Sequence, residues 1–241
     1  MADSYLLLWA LCLALFAGSA IFIGALAASY DHIRPHWLER EIRHTITATG
    51  AGALIAAVTL VLVPEGMQGA GLPLGTLVFL LGGVGAMWLD KVLSQRQSSA
   101  SQMCAMTLDF VPESLVIGAV IMQNWEQAVL LSVLIFAQNL PESFNAFREM
   151  RRGKNVMSVQ KMLICFLLLA LSGPLYVGLG LYFFAEQEFW LAVIEIFCAG
   201  GILYLVFNDV APQVRLEKHW APPLGALVGF LIGVVGQELT R

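Results

Sequence analysis

A chain of 241 residues with 59% hydrophobic and only 12% charged residues, and a mean hydropathy of +0.77, has too few charges to clothe a water-facing surface. That excludes an ordinary soluble domain and points to an all-α, polytopic membrane protein whose apolar surroundings are the lipid bilayer. The net charge of −4 constrains little, because the placement of charge across a bilayer matters more than its sum.

Cutting the chain at its charged and turn-rich segments leaves eight apolar runs, at about 5-29, 43-64, 73-93, 103-122, 126-147, 156-184, 188-210 and 220-238. Each is near the ~20 residues that a bilayer-spanning helix requires. The first run follows Met-Ala-Asp-Ser instead of a basic segment, and so reads as a retained helix and not a cleaved signal peptide. Cys12, Cys104, Cys165 and Cys198 all lie inside apolar runs, without a CxxC pair, and read as small apolar core residues with no disulfide framework.

Lysine and arginine follow the runs with a strong bias. Twelve of the thirteen fall after the first, third, fifth and seventh runs: Arg34, Arg40 and Arg43; Lys91 and Arg96; Arg148, Arg151, Arg152, Lys154 and Lys161; Arg215 and Lys218. Only Arg241 falls on the other side. A wrong number of spans would scramble this alternation, so the bias supports eight helices in the cell (inner) membrane with both termini on the extracytoplasmic side. On the same count Gln95 to Gln102 is a short cytoplasmic loop, and the four histidines, His32, His36, His44 and His219, are solvated loop residues. His32 and His36, flanking Pro35, are also placed to catch a metal leaving a pore.

The second and seventh runs share a spacing. Ala51-Gly52 precedes Pro64, and Ala199-Gly200 precedes Pro212, with thirteen residues from alanine to proline in both. By the loop count these runs cross the bilayer in opposite directions. The match therefore points to an inverted repeat made of the first three and last three helices, with the fourth and fifth between them. In the eighth run Gly225, Gly229 and Gly233 recur every four residues, a seam for close helix packing either within the protein or between the protomers of a homodimer.

The chemistry is concentrated in the fourth and fifth runs, where Asp109-Phe110-Val111-Pro112-Glu113-Ser114 is echoed by Gln138-Asn139-Leu140-Pro141-Glu142-Ser143. Helical spacing puts Asp109 and Glu113 on one face, and Gln138 and Glu142 on one face, with Asn139 close by. Pro112 and Pro141 each deprive the carbonyl four residues earlier, at Leu108 and Ala137, of its helical donor. Two such helices meeting would make a nearly all-oxygen cluster inside the membrane. Carboxylates crowded at low dielectric need a counter-charge, and no lysine or arginine lies at that depth; a divalent cation or protons must supply it. The bland alternative is two kinked helices held by protonated glutamates.

Two successive central helices, each with a polar pair followed by Pro-Glu, in an outline of eight spans, resemble the ZIP (Zrt/Irt-like) divalent-metal transporters over nearly the whole chain. In that family the two helices read His-Asn-x-Pro-Glu-Gly and His-Glu/Asp-x-Pro-Glu-Gly and bind two adjacent metal ions. By position, the resemblance implies metal ligation by Asp109, Glu113, Gln138 and Glu142, with Asn139 as an extra ligand. It also implies an inverted 3+2+3 arrangement of the eight helices and import of Zn2+. Both motif histidines are absent, Phe110 cannot ligate, Ser114 and Ser143 replace glycine, and Gly173 stands where some members carry an acid for the second site. One competent site is therefore expected, harder than the family's, with preference moved from zinc towards Fe2+ or Mn2+.

Other acids have weaker readings. Glu65, which follows Pro64, and Asp209, which precedes Pro212 by three residues, either flank the two mouths of a pathway or are merely solvated helix ends. Glu195, a third of the way into the seventh run, is a proton carrier or a hydrogen-bond partner. An intramembrane hydrolase would want histidine ligands and an activated water, which the central helices lack, so no enzyme is expected. A divergent member that senses metal without moving it remains an alternative. Nothing in the chain has the pattern of a nucleic-acid or nucleotide-phosphate site.

Overall fold

A computed structural model describes residues 2–30, 36–94, 99–152, 157–214 and 220–239. His32, Arg34, Pro35, Arg96, Lys154, Arg215, Lys218, His219 and Arg241 lie outside the described residues, as do the side chains of His36, Arg40, Arg152 and Asp209.

The described chain is helical throughout, without a strand. In order come α1 (Ala2–Ser29), α2 (His36–Ala56), a π segment (Ala57–Leu62) leading into α3 (Val63–Ala70), α4 (Leu72–Ser94) and α5 (Ser99–Val120). Then follow α6 (Trp125–Arg152), α7 (Val159–Phe184), α8 (Glu188–Leu205), a second π segment (Val206–Val210) leading into α9 (Ala211–Val214), and α10 (Ala221–Leu239). Six of the resulting stretches are long and apolar enough to cross a membrane; α5 and α6, diluted by their polar motifs, are the remaining long helices. Leu80, Leu81, Leu168, Leu171, Leu175 and Leu227 face outward, as bilayer-embedded surfaces require. The chain is an all-α, multi-pass membrane protein.

An apolar exterior also explains why apolar runs do not identify the core. Of the four cysteines only Cys198 is buried; Cys165 is half-buried, and Cys12 and Cys104 are exposed, all four as free thiols. In lipid a small apolar side chain faces outward at no cost, so the expectation of four core cysteines holds for one.

The second run was expected to stop at Pro64, yet the helix continues to Ala70. Pro64 sits in the first turn of α3, where its missing N–H is not needed. The preceding π segment shifts the hydrogen-bond register ahead of it, and the segment before Pro212 does the same. Proline alone does not force this, since Pro112, Pro141 and Pro174 sit within unbroken α-helix.

Two sets of helices pack side by side. One comprises α1, α5, α6 and α7, and the other α2, α3, α4, α8 and α10. Their seams are cut by glycines at backbone contact. Along α10, a Cβ on Gly225 would lie 2.5 Å from the Thr45 carbonyl oxygen, and one on Gly229 would overlap that of Thr49. Gly82 and Gly200 make the α4–α8 seam in the same way, and Gly118 and Gly180 the α5–α7 seam. The Gly225/Gly229/Gly233 series is thus filled by α2 of the same chain.

Turns at one end of the bundle are short and interlocked. Gly71, at φ +77°, reverses the chain between α3 and α4 in a conformation that glycine adopts without strain. Gln123, between α5 and α6, donates from Nε2 to the Ala185 carbonyl between α7 and α8 at 2.9 Å. Trp9 and Trp125 meet edge to face at 5.4 Å.

Candidate functional site

The two Pro-Glu helices pack against each other, and their polar faces meet at Glu113 and Gln138. Gln138 Nε2 on α6 donates to Glu113 Oε1 on α5, both side chains being buried. The other carboxylate oxygen, Glu113 Oε2, is buried without a hydrogen-bond partner among the described residues, and so is Asn139 Nδ2. An unsatisfied buried polar group costs about 1–3 kcal/mol, more when charged, so such a place in a folded protein calls for a ligand, a proton or water.

Asp109 lies one turn before Glu113 on the same face, half-buried and within electrostatic reach of it. Glu142, one turn after Gln138, is also half-buried. Asn139 sits on a different flank of α6. It shares that flank with Ser143, whose Oγ donates to the Asn139 carbonyl at 2.7 Å and lies 3.3 Å from the Ala20 carbonyl oxygen of α1. The structure therefore brings Glu113 and Gln138 into contact, keeps Asp109 and Glu142 one turn from that contact, and places Asn139 on the flank that meets α1.

Phe110, in the non-ligating position of the motif, is fully buried against Gly18 and Gly173, where a Cβ would lie 3.2 Å and 3.0 Å from its Cζ. Its ring locks α5 to α1 and α7. That packing explains a large aromatic side chain at 110 and the lack of one at 18 and 173.

Helix α2 closes the site from the other set. A Cβ on Gly50 would fall 2.8 Å from Pro141 Cγ and 3.7 Å from the Ala137 carbonyl oxygen, the acceptor that Pro141 leaves without its helical donor. One turn away, Asn145 donates from Nδ2 to Thr47 Oγ1 at 2.8 Å. Proline thus exposes a carbonyl at a point where Gly50 lets α2 come close. In the π segment after α8, Asn208 donates from Nδ2 to Asp90 Oδ2 at 3.3 Å.

No protein-family model matches the chain, and no curated protein matches its sequence.

Two further buried groups, Cys198 and Gln127, carry no signal in a one-dimensional reading, whereas Glu195 stands out there as an acid within an apolar run. Cys198 on α8 is within electrostatic reach of Glu113 and Asp109, although its apolar context reads as core filler. Gln127 at the start of α6 donates from Nε2 to Glu65 Oε2. Glu195 is 2% exposed, with Oε1 unpartnered. Among the described residues, no three histidine, cysteine, aspartate or glutamate side chains gather into a metal-holding group. A cation held at Glu113 would have to recruit amide or carbonyl oxygens, or draw in the carboxylates one turn away.

The Glu113–Gln138 contact is directly testable. Gln138→Ala removes the donor to Glu113 Oε1, and an expected loss of about 1–3 kcal/mol should appear as a lower thermal midpoint in detergent. An unchanged midpoint would mean that the bond does not stabilise the folded protein.

Proposed function

We propose that this protein is a divalent-cation transporter of the cell (inner) membrane, with a ZIP-like inverted 3+2+3 arrangement of eight helices, importing Zn2+, or with shifted selectivity Fe2+ or Mn2+, into the cytoplasm. The observation that carries this reading is the Glu113–Gln138 contact, with its buried unpartnered carboxylate oxygen, between two Pro-Glu helices. Positions 44–90, 97–147 and 162–214 contain no lysine or arginine, so the balancing positive charge comes from a cation or protons.

The packing supports the inverted repeat. A two-fold operation exchanging helices of the first and last thirds turns the α2–α10 pair into the α8–α4 pair, and the α1–α6 pair into the α7–α5 pair. The π segments at Ala57–Leu62 and Val206–Val210 then occupy equivalent places ahead of Pro64 and Pro212. Such an arrangement puts a shared site on the fourth and fifth helices, between two units able to rock against each other.

In this reading the cation displaces the Gln138 amide hydrogens from Glu113 and is held by Glu113 with the amide oxygen of Gln138. Asp109 and Glu142 reach in from one turn away. Oxygen donors favour hard or borderline ions, while the Cys198 thiol nearby offers a softer donor that keeps zinc and iron in contention.

Uptake of Mn2+, Fe2+ and Zn2+ into proteoliposomes tests the reading, since no accumulation of any of the three above protein-free vesicles would overturn it. The missing motif histidines favour a second reading, a divergent member that senses metal without transporting it; metal binding without uptake would select it. The orientation has its own test in a cysteine-free background. Ser158→Cys is expected to react with a membrane-impermeant maleimide only from the cytoplasmic side, and Gln123→Cys only from the opposite side. Labelling of both from the same side would remove the eight-span topology.

A further inference from the structure

Three segments far apart in sequence bring acids and an amide to one level near the end of the bundle where α3 finishes and α6 and α8 begin. Gly66, next to Glu65, abuts α8 so closely that a Cβ there would lie 2.7 Å from Ile196 Cβ and 2.9 Å from the Ile196 nitrogen. The neighbours of these two residues, Glu65 and Glu195, are therefore at the same height and within electrostatic reach. Gln127, itself buried, binds Glu65 from the α6 side. Glu195 is 2% exposed, and its Oε1 has no hydrogen-bond partner among the described residues.

Two carboxylates held together in the interior repel each other unless something positive lies between them. The stretches of sequence that build this place carry no lysine or arginine from 44 to 90, 97 to 147 or 162 to 214. One glutamate oxygen is already committed to Gln127, whereas the buried Oε1 of Glu195 is committed to nothing. Rotation of the Gln127 amide about its terminal torsion would present oxygen in place of nitrogen and complete an all-oxygen donor set.

We infer that Glu65, Glu195 and Gln127 form a second cation-binding station, distinct from the Glu113 site and one step nearer the membrane face at the start of α8. Counting 1.5 Å of rise per residue, Gln127 lies about 16 Å nearer the start of α6 than Gln138, which binds Glu113. Cys198, one turn further on the same face, is within electrostatic reach of both Glu195 and Glu113. The station, the thiol and the Glu113 site thus form a file along α8. A divalent ion with oxygen preference, Mn2+ among them, suits the outer station. The station's place in a transport path rests on the transporter reading, but its capacity to bind does not.

The test is Mn2+ binding to the full-length protein in nanodiscs by equilibrium dialysis, with bound metal quantified. Glu113→Gln protein, whose inner site is disabled, is expected to retain a Mn2+ site that the Glu113→Gln/Glu195→Gln double variant loses by at least tenfold in affinity. Glu65→Gln in the same background, monodisperse on gel filtration, should weaken it likewise. In proteoliposomes Glu195→Gln alone should raise the KM for Mn2+ uptake about tenfold and leave the maximal rate within about twofold. Equal Mn2+ binding with and without Glu195, or no binding once Glu113 is changed, overturns the station while leaving the transporter reading standing. Glu195-dependent binding by a wild-type protein that takes up no cation would sink the transporter reading and keep the station.

Discussion

Glu113→Ala protein, reconstituted in liposomes, is expected to take up divalent cations at under about a tenth of the wild-type rate. Attraction between a carboxylate and a unit charge about 4 Å away at an effective dielectric near 20 is about 4 kcal/mol; half of that is on the order of thirtyfold in affinity. A divalent ion loses more. Glu113→Gln should fail almost as completely, because it keeps the shape and the contact with Gln138 but removes the charge. That variant separates a need for negative charge from a need for packing. Glu142→Ala, at a half-buried position one turn from Gln138, should give a partial loss. Wild-type uptake by Glu113→Ala would end the account of the site, whatever the behaviour of the others.

Gly229→Ala should lower thermal stability more than any other glycine-to-alanine change in α10. A methyl at 229 meets the Thr49 carbonyl oxygen and backbone of α2 on a side where no flexible atom can give way. The helices must separate by a fraction of an ångström along the whole seam, and overpacking of this kind costs about 1–3 kcal/mol. Within a bilayer no hydrophobic force compensates, because separated helices are solvated by equally apolar lipid. Gly178→Ala is the matched control: nothing lies within 4 Å of a Cβ there, and alanine is the better helix former by about 1 kcal/mol. Its midpoint should be unchanged or slightly higher. Equal loss at 178 and 229 would mean that the close approach of α2 and α10 does not govern stability.

The two variants also separate what a linear reading reaches from what it misses. The four-residue spacing of Gly225, Gly229 and Gly233 is visible in the sequence, but whether the seam faces another part of the chain or a second protomer is not. The answer, α2, lies some 180 residues earlier in the chain. Similarly, Pro64 reads as the end of a helix, because in water a proline usually is one. In a membrane the freed carbonyls have nowhere better to go, so the chain continues through a π segment to Ala70.

From residue order alone come the apolar runs, the polar Pro-Glu motifs within them and the pairing of Asp109 with Glu113 and of Gln138 with Glu142 on single faces. These are consequences of hydropathy and of the 3.6-residue turn, both local properties. Only the packed molecule decides that Gln138 meets Glu113 while Ser143, one turn on from Asn139, meets α1. The same is true of Glu65, Gln127 and Glu195, which converge from three helices, and of Cys198, which lies near the carboxylates. Local periodicity fixes which residues share a face, but not the rotation of a helix about its own axis relative to its neighbours. That rotation is set by where backbones can touch, at Gly18, Gly50, Gly66 and their counterparts, which are contacts between residues distant in the chain.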